Sequence, residues 1–195
     1  AAGGGGGDGV EEGHRDEGGA PERFAGGAKL RTCGGAGAKI DAAAFAAILD
    51  AYPAGIVHHV QPAALTLTQS TELGAVYSQD EIGALVEIAR GRALHVHMDG
   101  ARFANALVRL GCTPAEATWK AGIDIMSFGA TKNGAIAAEA VIVFNPDIAR
   151  DLAFRRKRAG HLLSKMRFLS AQLEAYLADD LWLRLARHAN HVTAG

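Results

Sequence analysis

The amino-acid sequence predicts an α/β fold in which a mostly parallel sheet is flanked by helices. From about residue 41 onward, short apolar runs alternate with capped, helix-like stretches. Strands that are separated by helices of about 10–15 residues are typical of βαβ units, whose strands run parallel. Because 49% of the 195 residues are hydrophobic, the chain can also bury a sizeable core.

Capping residues mark where the helices begin. Ser78 and Glu81 have the spacing of a capping box, in which each side chain bonds to the backbone amide of the other residue. Thr113 and Glu116 repeat this spacing, with Pro114 at the first helical position. We therefore expect helices from Asp41 to about Tyr52, from Ser78 to about Arg90, over Ala101–Leu110, from Thr113 to Gly122, and over most of the chain after Asn145.

Four short apolar segments between these helices are predicted to be strands. They are Ala64–Thr68, Leu94–Met98, Ile123–Phe128 and Ala140–Phe144. Residues 1–13 differ from all of these, because they form a low-complexity stretch that is dominated by glycine. Glycine loses much backbone entropy on folding and buries little, so the sequence predicts a flexible tail there.

The composition excludes several classes of protein. A formal net charge of −1 argues against nucleic-acid and membrane-surface binding, since both require clustered cations. No apolar run approaches the roughly 18 residues of a membrane-spanning helix, and the start of the chain lacks the pattern of a signal peptide. With only Cys33 and Cys112, no disulfide framework is indicated, and we expect a cytoplasmic setting.

The candidate site residues follow the ends of the predicted strands, where ligands bind in parallel sheets. Asp99 follows one strand, with Arg102 close behind it, and Gln69–Thr71 follow another. Lys132 lies between glycines in the segment Gly129–Gly134, which leaves room for a ligand. A desolvated lysine there would be available as a nucleophile toward carbonyls.

Two other patterns leave alternatives open. His95, His97 and Asp99 alternate along one strand and so share a face, which could hold a metal ion, although no further ligand cluster accompanies them. The basic run Arg155–Arg158 indicates a solvated face or an interface, and Arg167 a possible phosphate contact.

Several ordered motifs resemble the bacterial low-specificity L-threonine aldolases, which are pyridoxal-phosphate enzymes of the aspartate-aminotransferase-like fold. The resemblance extends over about residues 16–191. The motifs are Asp16–Glu22 (DEGGAPE), Thr66–Glu72 (TLTQSTE), His97–Phe103 (HMDGARF), Thr118–Gly122 (TWKAG), Phe128–Gly134 (FGATKNG) and Lys165–Ala171 (KMRFLSA).

The resemblance implies roles for individual residues in a retro-aldol cleavage of L-threonine to glycine and an aldehyde. Lys132 would bond covalently to the cofactor's aldehyde, and Asp99 would pair with the cofactor's ring nitrogen. Arg102 would hold the substrate carboxylate or the cofactor's ring oxygen. Thr131 would contact the cofactor's phosphate. Arg167 would reach the phosphate of a neighbouring subunit in a homo-oligomer. His14 would stack on the cofactor's ring and could act as the base.

Members of this family are longer at both ends than the present chain. The resemblance therefore implies a central piece: residues 1–13 as a tail, 14–160 as a partial cofactor-binding large domain, and 161–195 as a helical segment that leads toward a small domain. Three other interpretations stay open. They are a β-eliminating lyase of the same fold, a non-catalytic fragment that only dimerises, and a metal hydrolase that uses His95, His97 and Asp99.

Overall fold

The computed structural model describes residues 28–194, and its centre is a four-stranded sheet. The strands are β1 (Ala64–Thr68), β2 (His95–Gly100), β3 (Ile125–Gly129) and β4 (Glu139–Val143), and they lie side by side in chain order. Strands β1, β2 and β3 are parallel, which confirms the predicted α/β class. Their register aligns Asp99 with Thr68 on one side and with Ser127 on the other.

Strand β4 runs antiparallel to β3, so the sheet is mostly parallel, as predicted, with one antiparallel strand at its edge. The register pairs Ile125 with Val143 and Gly129 with Glu139. The connection between the two strands, residues 130–138, is shorter than the roughly twelve residues that a parallel crossover requires. The chain can therefore only reverse direction here.

The helices largely follow the predicted pattern. They are α1 (Ala42–Asp50), α2 (Gln79–Gly91), α3 (Phe103–Leu110), α4 (Pro146–Ala149), α5 (Leu152–Arg158), α6 (Arg167–Leu177) and α7 (Leu181–Ala194). The backbone amide of Glu81 donates to the Ser78 hydroxyl, and the Glu81 carboxylate accepts from the Ser78 amide, which confirms the capping box. Within residues 28–194, no helix is long and apolar enough to cross a membrane.

The predicted helix from Thr113 to Gly122 is wrong, although its capping hydrogen bonds form. The Thr113 amide donates to the Glu116 carboxylate at 2.8 Å. The hydroxyl of Thr118, however, donates to the carbonyl of Pro114, which is the acceptor that the Thr118 amide would use in an α-helix. Thr118 has non-helical dihedral angles, and only a short 3₁₀ turn follows, over Trp119–Ala121.

An aromatic cluster joins the sheet to three of the helices. Phe128 of β3 lies with its ring centre 6.4 Å from Phe103 of α3, 6.1 Å from Tyr176 of α6 and 5.8 Å from Trp182 of α7. All four side chains are buried. Offset or edge-to-face aromatic contacts of this kind add to the free energy of burial, so the cluster fixes these helices on the sheet.

Asp124 is a buried carboxylate that ties together three elements at the start of β3. It accepts hydrogen bonds from the backbone amide of Val96 at 2.7 Å and from the Asn145 side chain at 3.0 Å, and it pairs with the Arg90 guanidinium at 2.9 Å. Burial by itself raises the pKa of Asp124, but these donors together outweigh burial and hold the pKa below its ordinary value. The ionised carboxylate therefore stabilises the fold.

We predict that Asp124→Asn lowers the free energy of unfolding by about 2 kcal/mol, the scale of hydrogen bonds to a charged group. Urea denaturation at neutral pH measures this change. The dependence of the free energy of unfolding on urea concentration should keep the same slope. Because the pKa of Asp124 is lower in the folded state, its contribution is complete above the unfolded pKa and is lost as the pH falls through the folded pKa. The variant should lack this part of the acid dependence.

Asp147→Asn is the matched control, because Asp147 is 84% exposed and pairs only loosely with Arg150. A change below about 0.5 kcal/mol is expected for this surface pair. Equal losses in the two variants would contradict the role assigned to Asp124.

Candidate active site

Asp99 lies near the carboxyl end of β2, between the aligned residues Thr68 and Ser127. The side chain is half-buried, and its Oδ1 accepts a hydrogen bond from the Ala101 amide at 2.9 Å. No other hydrogen bond to this carboxylate comes from residues 28–194, so its second oxygen can receive a donor from a ligand. The position agrees with the ligand-binding edge of a parallel sheet.

Lys132 lies in a turn after β3 that its neighbours hold in place. The side-chain amide of Asn133 is buried, and it donates to the Tyr176 hydroxyl at 2.6 Å and to the Trp182 carbonyl at 2.9 Å. On the other side, the Thr131 hydroxyl accepts from the Ala138 amide at 3.2 Å. Lys132 therefore extends from a fixed backbone. No structural role was predicted for Asn133, because its partners lie 43 and 49 positions further along the chain.

The expectation of a desolvated lysine is not met within the described part of the chain. Lys132 and Thr131 are both exposed. Strand β3 and its turn fix the backbone of Lys132, but they leave its side chain in contact with solvent.

Arg102 pairs with Glu72, a residue that the sequence analysis did not single out. Its Nη1 and Nη2 lie 3.0 Å and 3.2 Å from the two carboxylate oxygens of Glu72. The Arg102 guanidinium holds the pKa of Glu72 below its ordinary value, and the nearby positive charge of Lys132 lowers it further. Glu72, Arg102 and Lys132 thus share one electrostatic environment. The one sequence feature that could have indicated Glu72 is its position directly after Gln69–Thr71, which were predicted to lie at the ligand-binding edge.

The Gln69–Thr71 segment contributes structure at this edge. The Gln69 side chain donates to the carbonyl of Tyr77 and accepts from its amide, both at 3.0 Å. The Thr71 hydroxyl donates to the Gly37 carbonyl at 2.9 Å and accepts from the Ala75 amide. These buried polar side chains fix the loop from which Glu72 extends.

Gly129 lets the turns after β2 and β3 come into contact. A Cβ atom at this position would lie 2.8 Å from the Ala101 Cα, 3.0 Å from the Ala101 oxygen and 2.9 Å from a carboxylate oxygen of Glu139. Distances this short require a backbone shift. The absence of a side chain at Gly129 therefore sets the spacing between the turn of Asp99 and that of Lys132.

Two other predicted site residues, His14 and Arg167, are not seen in contact with Asp99 or Lys132 among the residues that the structure describes. His14 lies outside the described residues. Arg167 begins α6, is exposed, and lies with its guanidinium 4.8 Å from the centre of the Phe168 ring. No hydrogen bond or ion pair within residues 28–194 joins Arg167 to Asp99 or Lys132.

The histidines of β2 make contacts other than those of a metal site. His97 Nε2 lies 3.0 Å from the Ser127 hydroxyl, and His95 Nδ1 lies 3.8 Å from Asp124. The part of the chain that the structure describes contains no group of three or more metal-ligating side chains. The metal-hydrolase interpretation therefore has no support in this region.

A separate apolar cavity of about 470 Å³ lies over one face of β3 and β4. Its lining includes Trp119, which precedes β3, and Ile142 and Phe144 at the end of β4, but none of Asp99, Arg102 or Lys132. The polar candidate site and this apolar cavity are thus distinct features.

Comparisons with known proteins show the family of this chain. The family model described as beta-eliminating lyase matches residues 11–194. The chain belongs to this family. It is 49% identical, over 176 residues, to the low specificity L-threonine aldolase of Pseudomonas sp. (strain NCIMB 10558), and 49% identical over 175 residues to that of Pseudomonas aeruginosa. Each alignment covers 90% of this chain and 50% of the relative.

A solved structure shows the same similarity. The Leishmania major threonine aldolase superimposes with a TM-score of 0.82 at 26% identity, over 94% of this chain and 53% of that structure. This member of the beta-eliminating lyase family thus spans about half the length of the relatives that it matches.

We predict that Gly129→Ala lowers the free energy of unfolding by about 1–3 kcal/mol, because the new methyl group overlaps the Ala101 backbone. Urea denaturation measures the change. Gly83→Ala in the middle of α2 is the matched control, because a Cβ atom there meets nothing within 4 Å. Alanine at a helical position should stabilise by up to about 1 kcal/mol. If both variants were stabilised, the close approach at Gly129 would be refuted.

Proposed function

We propose that the protein carrying this chain is a pyridoxal-phosphate-dependent aldolase that cleaves L-threonine and related 3-hydroxy amino acids to glycine and an aldehyde. The observation that carries the proposal is the placement of Asp99 near the carboxyl end of β2 and of Lys132 just after the neighbouring parallel strand β3, with Arg102 in the turn after β2. The names of the two Pseudomonas relatives support the reaction.

The residues present fit pyridoxal phosphate. Lys132 offers an exposed amine on a fixed turn, which suits a bond to an aldehyde carbon. Asp99 has one oxygen that accepts no hydrogen bond within residues 28–194, which suits a protonated ring nitrogen. When bound, the cofactor supplies an electron sink for the carbon–carbon cleavage.

Each side chain then has a distinct task. The negative charge of Asp99 favours the protonated ring nitrogen, because a nearby opposite charge stabilises a cation. The guanidinium of Arg102 binds the substrate carboxylate, for which its planar donors are suited. We assign phosphate contacts to Thr131 and, from a neighbouring subunit of a homo-oligomer, to Arg167. His14 stays our candidate for the ring face and for the base that removes the 3-hydroxyl proton, a role typically worth about 10²–10⁴-fold in rate.

β-Elimination is the second candidate reaction, and the description of the matching family favours it. It would use the same lysine and aspartate, so these residues do not discriminate between the two. The products do. Aldehyde released from L-threonine supports aldol cleavage, whereas ammonia released in its place supports elimination.

Lys132→Ala should abolish the adduct that borohydride traps between protein and pyridoxal phosphate, because the amine that forms it is removed. Peptide mapping after reduction locates the adduct in the wild-type protein. Lys120→Ala is the matched control, since Lys120 is an exposed lysine in the turn that precedes β3. An adduct that persists on another lysine in Lys132→Ala would refute the assignment.

Asp99→Asn should weaken cofactor binding and slow threonine cleavage by roughly one to three powers of ten. A nearby opposite charge shifts a pKa by about one to three units, and the variant removes that charge while it keeps the acceptor for the Ala101 amide. Cofactor titration and an aldehyde assay measure the two effects. Unchanged turnover in the loaded variant would count against a role for Asp99 at the ring nitrogen.

A further inference from the structure

Glu72 and Arg102 form a two-point ion pair between the loop after β1 and the turn after β2. The distances are 3.0 Å and 3.2 Å, and the Glu72 and Arg102 side chains are 40% and 28% exposed. Partly exposed pairs contribute little to the free energy of unfolding. The main effect of this pair is therefore to hold the Arg102 side chain in one orientation.

The pair leaves part of the guanidinium available. An arginine has five N–H donors, and Glu72 occupies the end that is formed by Nη1 and Nη2. The Nε–H and the outward hydrogen of the Nη on the same side form a second edge, which has the geometry for another carboxylate. Glu72 and an amino-acid carboxylate can thus bind Arg102 at the same time.

The loop that carries Glu72 is well suited to orient its partner. Gln69 and Thr71 are fully buried and are bonded to the backbone of Tyr77, Gly37 and Ala75. Glu72 therefore extends from a fixed backbone and reaches an arginine in the turn after β2.

We infer that Glu72 is a positioning residue, which holds the end of the Arg102 guanidinium so that its remaining edge faces the carboxylate of the amino-acid substrate. The inference rests on the proposed function, since it takes Arg102 as the group that binds the carboxylate. Glu72 itself contacts Arg102 and not the reacting atoms. Its loss affects how tightly amino acids bind, and not the bond cleavage.

The test is Glu72→Gln in the purified protein loaded with pyridoxal phosphate. Glycine has the same carboxylate as threonine and requires no turnover, so its Kd is measured by calorimetry. We expect this Kd and the KM for L-threonine to rise about tenfold, with kcat within about twofold, which is the pattern of lost uniform binding. The lysine adduct should form as in the wild type.

Two comparisons separate positioning from other effects. Glu87→Gln removes a charge from an exposed position on α2 and should change neither constant. In an Arg102→Ala background, Glu72→Gln should alter the glycine Kd by less than about twofold, because no guanidinium remains to be held.

Several outcomes would overturn the inference. Unchanged glycine binding in Glu72→Gln would show that Arg102 needs no partner, and tighter binding would show that Glu72 competes with the substrate. If Glu72→Gln still raised the glycine Kd about tenfold in the Arg102→Ala background, Glu72 would not act through Arg102. A wild-type protein that binds glycine but releases no aldehyde would refute the proposed function alone, and the calorimetric comparison would still test Glu72.

Discussion

The candidate site depends on the contact between two turns at the carboxyl ends of β2 and β3. Gly129 has no Cβ, and so the backbone of Ala101 lies where a side chain would otherwise be. Because the Ala101 amide also donates to Asp99, the same residue sets both the distance between the turns and the orientation of the aspartate. Lys132 follows Gly129 closely along the chain, and its position is a consequence of this contact.

Two buried polar side chains that take no part in the proposed chemistry hold the backbone of residues in the candidate site. Asn133 holds the turn of Lys132 against α6 and α7, and Gln69 holds the loop of Glu72. Such groups are costly to bury unless every polar atom finds a partner. Once satisfied, they give exposed side chains a rigid backbone. The contacts of Asn133 explain how the Lys132 side chain can be exposed while its backbone is held in place.

Local sequence signals were reliable where the structure is itself local. The capping box of Ser78 and Glu81 and the apolar strand runs involve residues close in sequence, and both were confirmed. The direction of β4 was predictable from loop length, since residues 130–138 cannot span a parallel crossover. The absence of a helix after Thr113 was not predictable, because the spacing of Thr113, Pro114 and Glu116 does not show that Thr118 adopts non-helical dihedral angles.

The sequence alone determined the order of the elements, the motifs that contain Asp99, Arg102 and Lys132, and the edge of the sheet that they follow. It could do so because parallel strands bring their carboxyl ends to one edge. Only the tertiary structure decided what each group contacts. Arg102 pairs with Glu72, 30 positions earlier, and Asn133 with Tyr176, 43 positions later. Hydrogen bonds form between side chains that packing brings together, and no spacing along the chain encodes such contacts.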